Sequence, residues 1–323
     1  MGSRRILVTG GSGFIGTNLV EALVASGNTI LNLDLRPPQV ASHRPHWMQV
    51  DLMDQAVLDK AVVEFRPTHV IHLAARADLM GKTPEDYALN TTGTENLMRS
   101  LGKVPMPEHV LFTSTMLVCR PGYIPAHDTD FAPGTAYGTS KVDMERIIRS
   151  WDPPYRWNII RPTSIWGPWF ASPYRDFFDR VMQGKMFSIG GIAPATKTYG
   201  FVLNGVRQIM AILDAPDIAR GVYYIGDEPP VNIRMWTDMV ATKAGVRRPP
   251  VVHHALIRAA GWVGDLFKWA RIPFPMTSFR FKNMTTDNVL PLANTSALVK
   301  EIPYDLATAT DITLTWLREH ENK

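Results

Sequence analysis

The segment RRILVTGGSGFIGTNLVEALVASG, residues 4–27, restricts the fold more than any other part of the chain. Ile6, Leu7 and Val8 form the short apolar run of a buried parallel strand. Gly10, Gly13 and Gly16 follow. From Phe14 and Ile15 through Leu19, Val20 and Leu23 apolar residues recur at helical spacing until Gly27. Strand, glycine turn and helix in that order build a dinucleotide site: glycines let backbone N–H groups approach a pyrophosphate, and the helix N-terminus adds partial positive charge. TILNLDL reads as a second strand ending near Asp34, whose carboxylate suits a ribose diol and repels a 2′-phosphate. NAD is therefore expected over NADP, although Arg36 stands two residues on.

Strands and helices keep alternating. THVIHLAA (68–75), EHVLFTST (108–115) and RWNIIRPTSIWGP (156–168) read as strands running into loops. PEDYALNTTGTENLMRSLG and GTSKVDMERIIRSW read as the helices between them. This order implies a doubly wound α/β fold with a parallel sheet and ligands at the strands' C-terminal ends. Thr113, Ser114 and Thr115 fall at such an end, as do the small residues Ala74 and Ala75. Tyr137 and Lys141, four apart, share one helix face. A free tyrosine, with a pKa near ~10, is a poor base at neutral pH. A neighbouring lysine cation favours its phenolate.

The bulk numbers fit one large soluble unit or two smaller ones. Of 323 residues, 45% are apolar and 20% charged, enough for a substantial core. The net charge of +4 is scattered, with no basic stripe to suggest nucleic acid. One cysteine, Cys119, excludes an internal disulfide framework and a cysteine metal site. The nine histidines show no metal-ligand spacing. With no signal peptide or membrane span at the N-terminus, a cytoplasmic protein is expected.

Taken together, TGGSGFIG (9–16), Asp34, Asp51-Leu52, HLAA (72–75), NTTGTEN (90–96), FTST (112–115), YGTSK (137–141), RPTSIWGP (161–168) and VYYIG (222–226) resemble the extended short-chain dehydrogenase/reductases, in their nucleotide-sugar epimerase/dehydratase branch. The resemblance spans about residues 4–230. It implies that Gly10, Gly13, Phe14, Ile15 and Gly16 hold the pyrophosphate of NAD, with Asp34, Leu35 and Arg36 at the adenosine ribose. Asp51 and Leu52 would sit at the adenine. Leu73, Ala74, Ala75 and Asn90 would line the cleft, with Thr113, Pro162 and Ile165 completing the cofactor set. Thr115, Tyr137 and Lys141 would be catalytic. Arg76, Thr115, Met116, Tyr137, Ser164 and Tyr199 would face the substrate. A homodimer through helices near 85–102 and 138–150 is a further expectation from the family.

The chain also departs from that pattern. Dehydratases of the family carry an Asp-Glu pair after the threonine; Met116 and Leu117 stand here. Elimination needs an acid and a base on adjacent carbons, so epimerisation, oxidation or ketone reduction remain. In TKTYGFVLNG (196–205), Tyr199 replaces an arginine that grips the substrate diphosphate, and Gly205 stands near the usual aspartate. Lys197, Arg175, Lys185 or Arg280 could substitute as cations, although each reads more simply as surface charge.

Residues 1–168 with 198–230 are expected to form the dinucleotide domain, and 169–197 with 231–323 a smaller substrate domain. Two helices, PYRDFFDRVMQG and NIRMWTDMVATKAG, are expected in the latter. HALIRAAGWVGDLFKWARI (254–272) is amphipathic, with Leu256, Ala259, Ala260, Val263, Leu266, Phe267 and Ala270 on one side. A core or subunit-packing helix is the simpler reading; a membrane surface or a lipid-carrier substrate is the other. Trp166, Trp169, Phe170 and Tyr174 suit either stacking on substrate or filling an interdomain core. His72 reads as a packed strand residue, and Ser114 as a strand-end cap. The leading function is an NAD-dependent epimerase or oxidoreductase acting on a sugar hydroxyl, a nucleotide sugar being the expected substrate. The alternatives are a dehydrogenase or reductase of a non-nucleotide alcohol or ketone, and a non-catalytic NAD-binding scaffold.

Overall fold

The computed structural model describes residues 4–269 and 276–320. Its strands, in chain order, are β1 (Arg5–Thr9), β2 (Thr29–Asp34), β3 (Trp47–Gln49), β4 (His69–His72), β5 (His109–Thr113), β6 (Arg156–Pro162), β7 (Ser164–Trp166), β8 (Ser188–Gly190), β9 (Thr196–Lys197), β10 (Tyr199–Phe201), β11 (Val222–Ile225), β12 (Val231–Asn232) and β13 (Val251–His253). The helices are α1 (Phe14–Ala25), α2 (Gln55–Phe65), α3 (Ala88–Leu101), α4 (Ala136–Trp151), α5 (Tyr174–Met182), α6 (Val202–Asp214), α7 (Ile233–Ala244), α8 (His254–Trp269), α9 (Ser278–Thr285), α10 (Ala293–Leu298) and α11 (Leu306–His320).

Seven strands form one sheet in the order β11-β6-β5-β4-β1-β2-β3, every pair parallel. Its central strands read as apolar runs because helices bury both faces. On one side Leu7, Val70, Val110 and Phe112 meet α2, α3 and α4; on the other Ile6, Val8, Ile71 and Leu111 meet α1 and α6. The chain steps outward in opposite directions from β1 and β4, which leaves a crevice beyond their C-terminal ends. That crevice is where the predicted site residues converge.

A third core lies beyond the crevice, where Trp166, Phe170, Phe178, Phe201 and Trp236 pack among α5, α7 and α11. Trp166 and Phe170 thus fill core, and Trp169 packs edge-on to Trp316. Trp166 and Trp169 are structural, while Phe170 and Tyr174 each also line the crevice. One piece of the C-terminal stretch returns to the main sheet. On α10, Asn294 Nδ2 donates to the Val222 carbonyl at 3.0 Å, and Thr295 Oγ1 to that of Tyr224 at 2.6 Å. The edge strand β11 is covered by this helix.

Within its own chain α8 buries little of its apolar stripe, with only Ala260 and Phe267 half-buried. Its buried seam is Ile257, Gly261 and Gly264, and at Gly261 a Cβ would lie 3.2 Å from the Ser278 nitrogen. Small residues there let α9 approach closely, so α9 covers the glycine side. The stripe Leu256, Ala259, Val263 and Leu266 faces outward. Ala270 lies outside the described residues.

Candidate active site

The glycine turn is shaped by contacts that side chains would block. Gly10 has φ +75°, and a Cβ there would lie 2.6 Å from the Ala74 nitrogen. A Cβ on Gly16 would collide with the Gly10 carbonyl, so α1 could not pack so tightly on the turn. Gly13 caps α1 without a side chain, leaving the N–H groups of the first turn uncovered. Asn32, fully buried in β2, holds the turn from behind. Its Oδ1 accepts from Gly11 N at 2.9 Å and its Nδ2 donates to Ser12 Oγ at 3.1 Å. Sequence reasoning missed Asn32; the available signal was a polar residue in the middle of an apolar strand. Two residues on, Asp34 accepts from Ser12 N and Arg36 N, both at 3.0 Å. The carboxylate is thereby fixed at the crevice rim.

Thr115, Tyr137 and Lys141 sit across the crevice. Thr135 accepts from Gly138 N at 3.0 Å and starts α4, which places Tyr137 in the first turn and Lys141 in the next. Tyr137 and Thr115 are hydrogen-bonded through their hydroxyls. Lys141 Nζ donates to the Thr113 carbonyl at 2.8 Å. The Tyr87 ring, 5.8 Å from that of Tyr137, walls the tyrosine in. Burial pushes the Tyr137 phenol up to about 12, against the bond from Thr115. Burial also pulls Lys141 down to about 7, against the opposing pull of Glu145. Both shifts express the cost of a charge in a dry site.

Behind this pair lies a buried ionic cluster that the sequence did not reveal. Arg161, fully buried, forks onto Glu145: Nε to Oε1 at 2.9 Å and Nη2 to Oε2 at 2.8 Å. It also donates to Tyr224 Oη at 3.0 Å and to the Asp128 carbonyl at 2.6 Å. Ser114 Oγ donates to Glu145 Oε1 at 2.6 Å, so Ser114 is a partner of α4 and not a strand-end cap. Glu145 lies one helical turn beyond Lys141. A spacing of four on one helix face was the only sequence signal.

The crevice is a cleft of about 640 Å³. Its walls include Gly10, Gly13, Phe14, Ile15 and Gly16, the rim residues Asp34, Leu35 and Arg36, then Asp51 and Leu52, and Leu73, Ala74 and Ala75. Thr113, Thr115, Met116, Tyr137, Lys141, Pro162 and Ile165 close the other side. Two wall hydroxyls, Thr113 Oγ1 and Thr163 Oγ1, are buried with no hydrogen-bond partner. Such groups cost free energy unless a ligand pairs them. A glycine cradle at a helix start, a fixed carboxylate at ribose distance along the chain and unpaired hydroxyls at the opposite end all fit a nicotinamide dinucleotide.

A model of the NAD dependent epimerase/dehydratase family matches residues 6–229. The chain belongs to this family. It is an NAD-using enzyme of the epimerase and oxidoreductase kind. An N-acetyl-alpha-D-glucosaminyl-diphospho-ditrans,octacis-undecaprenol 4-epimerase of Escherichia coli O157:H7 is 28% identical, over 98% of this chain and 96% of its own. A 3 beta-hydroxysteroid dehydrogenase/Delta 5→4-isomerase of Mycobacterium tuberculosis is 28% identical, over 84% and 76%. The crystal structure of UDP-glucose 4-epimerase from Thermotoga maritima, with UDP-glucose, shares the fold at a TM-score of 0.76 and 20% identity, over 98% and 99%.

Four of the expected residues stand outside the cleft of this family member. Asn90 is fully buried and braces the loop after β4: Oδ1 accepts from Arg76 N at 2.9 Å, while Nδ2 donates to the Arg76 carbonyl and to Ser140 Oγ on α4. It ties the cleft wall to α4 and does not line the cleft. The Arg76 guanidinium turns away to Asp78, at 2.9 Å, and to the Asp86 carbonyl. Ser164 is buried against Tyr174 and Met116. Tyr199 lines a neighbouring hollow of about 210 Å³, its ring 4.9 Å from Trp236. His72 is a packed strand residue, held by Thr9 Oγ1 at 2.7 Å and Thr94 Oγ1 at 2.9 Å.

Proposed function

We propose that the protein epimerises a sugar hydroxyl and recycles tightly held NAD, with Tyr137 as the proton-transferring group. The observation that carries this reading is the meeting of Thr115, Tyr137 and Lys141 on one wall of a cleft whose other end is the glycine turn. Thr115 aims the reacting oxygen, and Tyr137 removes its proton. The bound nicotinamide would accept the hydride, and its positive charge would favour the Tyr137 phenolate that burial opposes. Once the keto sugar has turned its other face, the hydride would return to that face and Tyr137 gives the proton back to the oxygen. Met116 and Leu117, in place of an acid and a base, support epimerisation or simple redox chemistry over water elimination.

The fixed Asp34 carboxylate supports NAD over NADP. A sugar carried on a diphosphate is the expected substrate, with nucleotide sugars the first to be tried. Polyprenol and steroid appear in the names of two relatives, so the carrier group is a separate question. A homodimer through α3 and α4 is part of the same reading. The test is mass spectrometry of the small molecules released when freshly purified protein is denatured, beside its oligomeric state by light scattering. About one NAD per chain supports recycling. A chain that binds NAD or NADP only when either is added would instead be a dehydrogenase or reductase that exchanges cofactor each cycle.

A further inference from the structure

Beyond Tyr174 the cleft is followed by two more hollows. The first, of about 210 Å³, shares the Pro173 and Tyr174 walls with the catalytic cleft. The second, of about 400 Å³, shares Phe177, Met186, Phe187 and Met284 with the first and ends at Leu256, Ile257 and Ala260 on α8. The sequence of walls runs from catalytic tyrosine to helix surface, and it is apolar for most of its length. The middle hollow carries two cations on its apolar wall, Lys197 and Arg234. Lys197 Nζ reaches the Asn283 carbonyl at 2.6 Å, and Arg234 Nη2 the Ile189 carbonyl at 3.0 Å. Arg234 Nε and Ser188 Oγ, both on this wall, are buried without a partner. Cations and unpaired donors inside an apolar passage suit an anion borne by an otherwise apolar molecule.

The passage opens at an unusual surface. Leu256 is 67% exposed, Trp262 62%, Leu266 64% and, on α9, Phe279 68%. Monomeric proteins seldom leave so many large apolar side chains together in water. Among the described residues, Arg180, Lys185 and Arg280 line the outer hollow and Arg258 and Lys282 stand on α8 and α9, against the acids Asp176 and Asp265. No helix among the described residues is long and apolar enough to cross a membrane. A helix with an exposed apolar stripe and a basic border lies in the plane of an anionic bilayer.

We propose that α8 and α9 dock on an anionic membrane and that the passage admits a further class of substrate, a sugar linked through a diphosphate to an apolar chain. The diphosphate rests between Lys197 and Arg234, the chain fills the outer hollow, and its end stays in the bilayer at Leu256. The proposal rests on the sugar chemistry assigned to Tyr137, but its binding readouts do not require turnover.

The test uses the purified full chain and its Tyr137→Phe variant. Farnesyl diphosphate, followed by quenching of tryptophan fluorescence, is expected to bind at least tenfold more tightly than pyrophosphate or UDP, and equally in both proteins. Arg234→Met should weaken it about tenfold. Sedimentation with vesicles of phosphatidylcholine alone should leave the protein in solution, whereas vesicles with 30% phosphatidylglycerol should pull it down. A Trp262→Asp/Leu266→Asp variant should lose that binding tenfold or more while retaining its NAD content. Equal affinity for farnesyl diphosphate and pyrophosphate would overturn the passage. Indifference to both vesicles would overturn the docking face, as would aspartate variants that only split a dimer. Farnesyl diphosphate binding without sugar turnover would sink the epimerase reading and leave this one standing.

Discussion

At the glycine-turn end of the cavity system, backbone groups and short side chains form the walls; at the α5–α7 end, large aromatic and aliphatic side chains do. The first end owes its shape to Gly10, Gly16 and Asn32, and presents N–H groups, a fixed carboxylate and small alanines. The second owes its shape to Phe177, Trp236 and Met186, with Lys197, in the field of Asp287, and Arg234 as its cations. A backbone-built site tolerates little change in sequence, because each glycine answers a steric demand. A side-chain-built site keeps its hollow when one residue is exchanged for another of similar bulk. The difference is one of construction: backbone sterics fix one end, and exchangeable side-chain bulk fixes the other.

The largest effect is expected where the two ends meet. Tyr137→Phe removes the hydroxyl proposed to transfer the proton and leaves the ring against Tyr87. A general acid–base group contributes ~10²–10⁴-fold. Turnover should fall by that factor with NAD content unchanged, as read by single-turnover kinetics and mass spectrometry. A variant that loses NAD as well would place Tyr137 in the cofactor end and blur the division.

Next comes the ionic cluster beneath the catalytic helix. Glu145→Gln leaves Arg161 buried and charged without its carboxylate. Breaking such a pair costs about 3–5 kcal/mol, which urea denaturation would read. A loss below about 1 kcal/mol would mean that Tyr224 and the Asp128 carbonyl suffice for Arg161.

Lys141 adds a dependence on pH with a definite sign. Its folded-state pKa lies near 7, below the ordinary lysine value of 10.5, so between these values the unfolded chain holds a proton that the folded chain lacks. Stability should therefore rise with pH across that window. Lys141→Met should flatten the rise, seen as urea midpoints that no longer increase from pH 7 to pH 9.5. An unchanged slope in the variant would show that other groups cause it.

The parallel sheet, the glycine cradle, Asp34 and the Thr115–Tyr137–Lys141 wall were legible in the sequence because each rests on local rules: strand runs, a turn that only glycine permits, and helix spacing. Asn90, Arg76, Ser164 and Tyr199 went elsewhere because their positions depend on how distant segments pack. The Asn90 side chain is satisfied by Arg76 and Ser140, fourteen and fifty residues away, so its amide serves the scaffold. Which side of α8 meets its own chain depends on packing in the same way. Hydrophobicity alone favoured burying Leu256, Val263 and Leu266 in the core or between subunits, but Gly261 gives α9 a close approach on the opposite side. Glu145, Arg161 and Arg234 carried no motif at all.

At the substrate end, Arg234→Met should raise KM for a diphosphate-linked sugar about tenfold, equivalent to ~1.4 kcal/mol, with kcat nearly unchanged. That split follows from the distance between the middle hollow and Tyr137: the charge would hold the carrier and not the reacting carbon. A fall in kcat with KM unchanged would mean that the two ends are mechanically coupled.

The smallest effect tests the cofactor end alone. Asp34→Asn removes the charge and keeps an oxygen that can accept from Ser12 N or Arg36 N. The carboxylate would repel a 2′-phosphate, and Arg36 stands on the same rim to receive one. Without the negative charge the ratio of NADP to NAD affinity should rise by about tenfold or less, since the rim is open to solvent and screening is strong there. Isothermal titration of NAD-stripped protein with each dinucleotide, at two salt concentrations, would read it. The gain should shrink at high salt, because it arises from relieved repulsion. A ratio that stays constant in the variant would move cofactor choice from Asp34 to Leu35, Arg36 and the shape of the adenine pocket around Asp51 and Leu52.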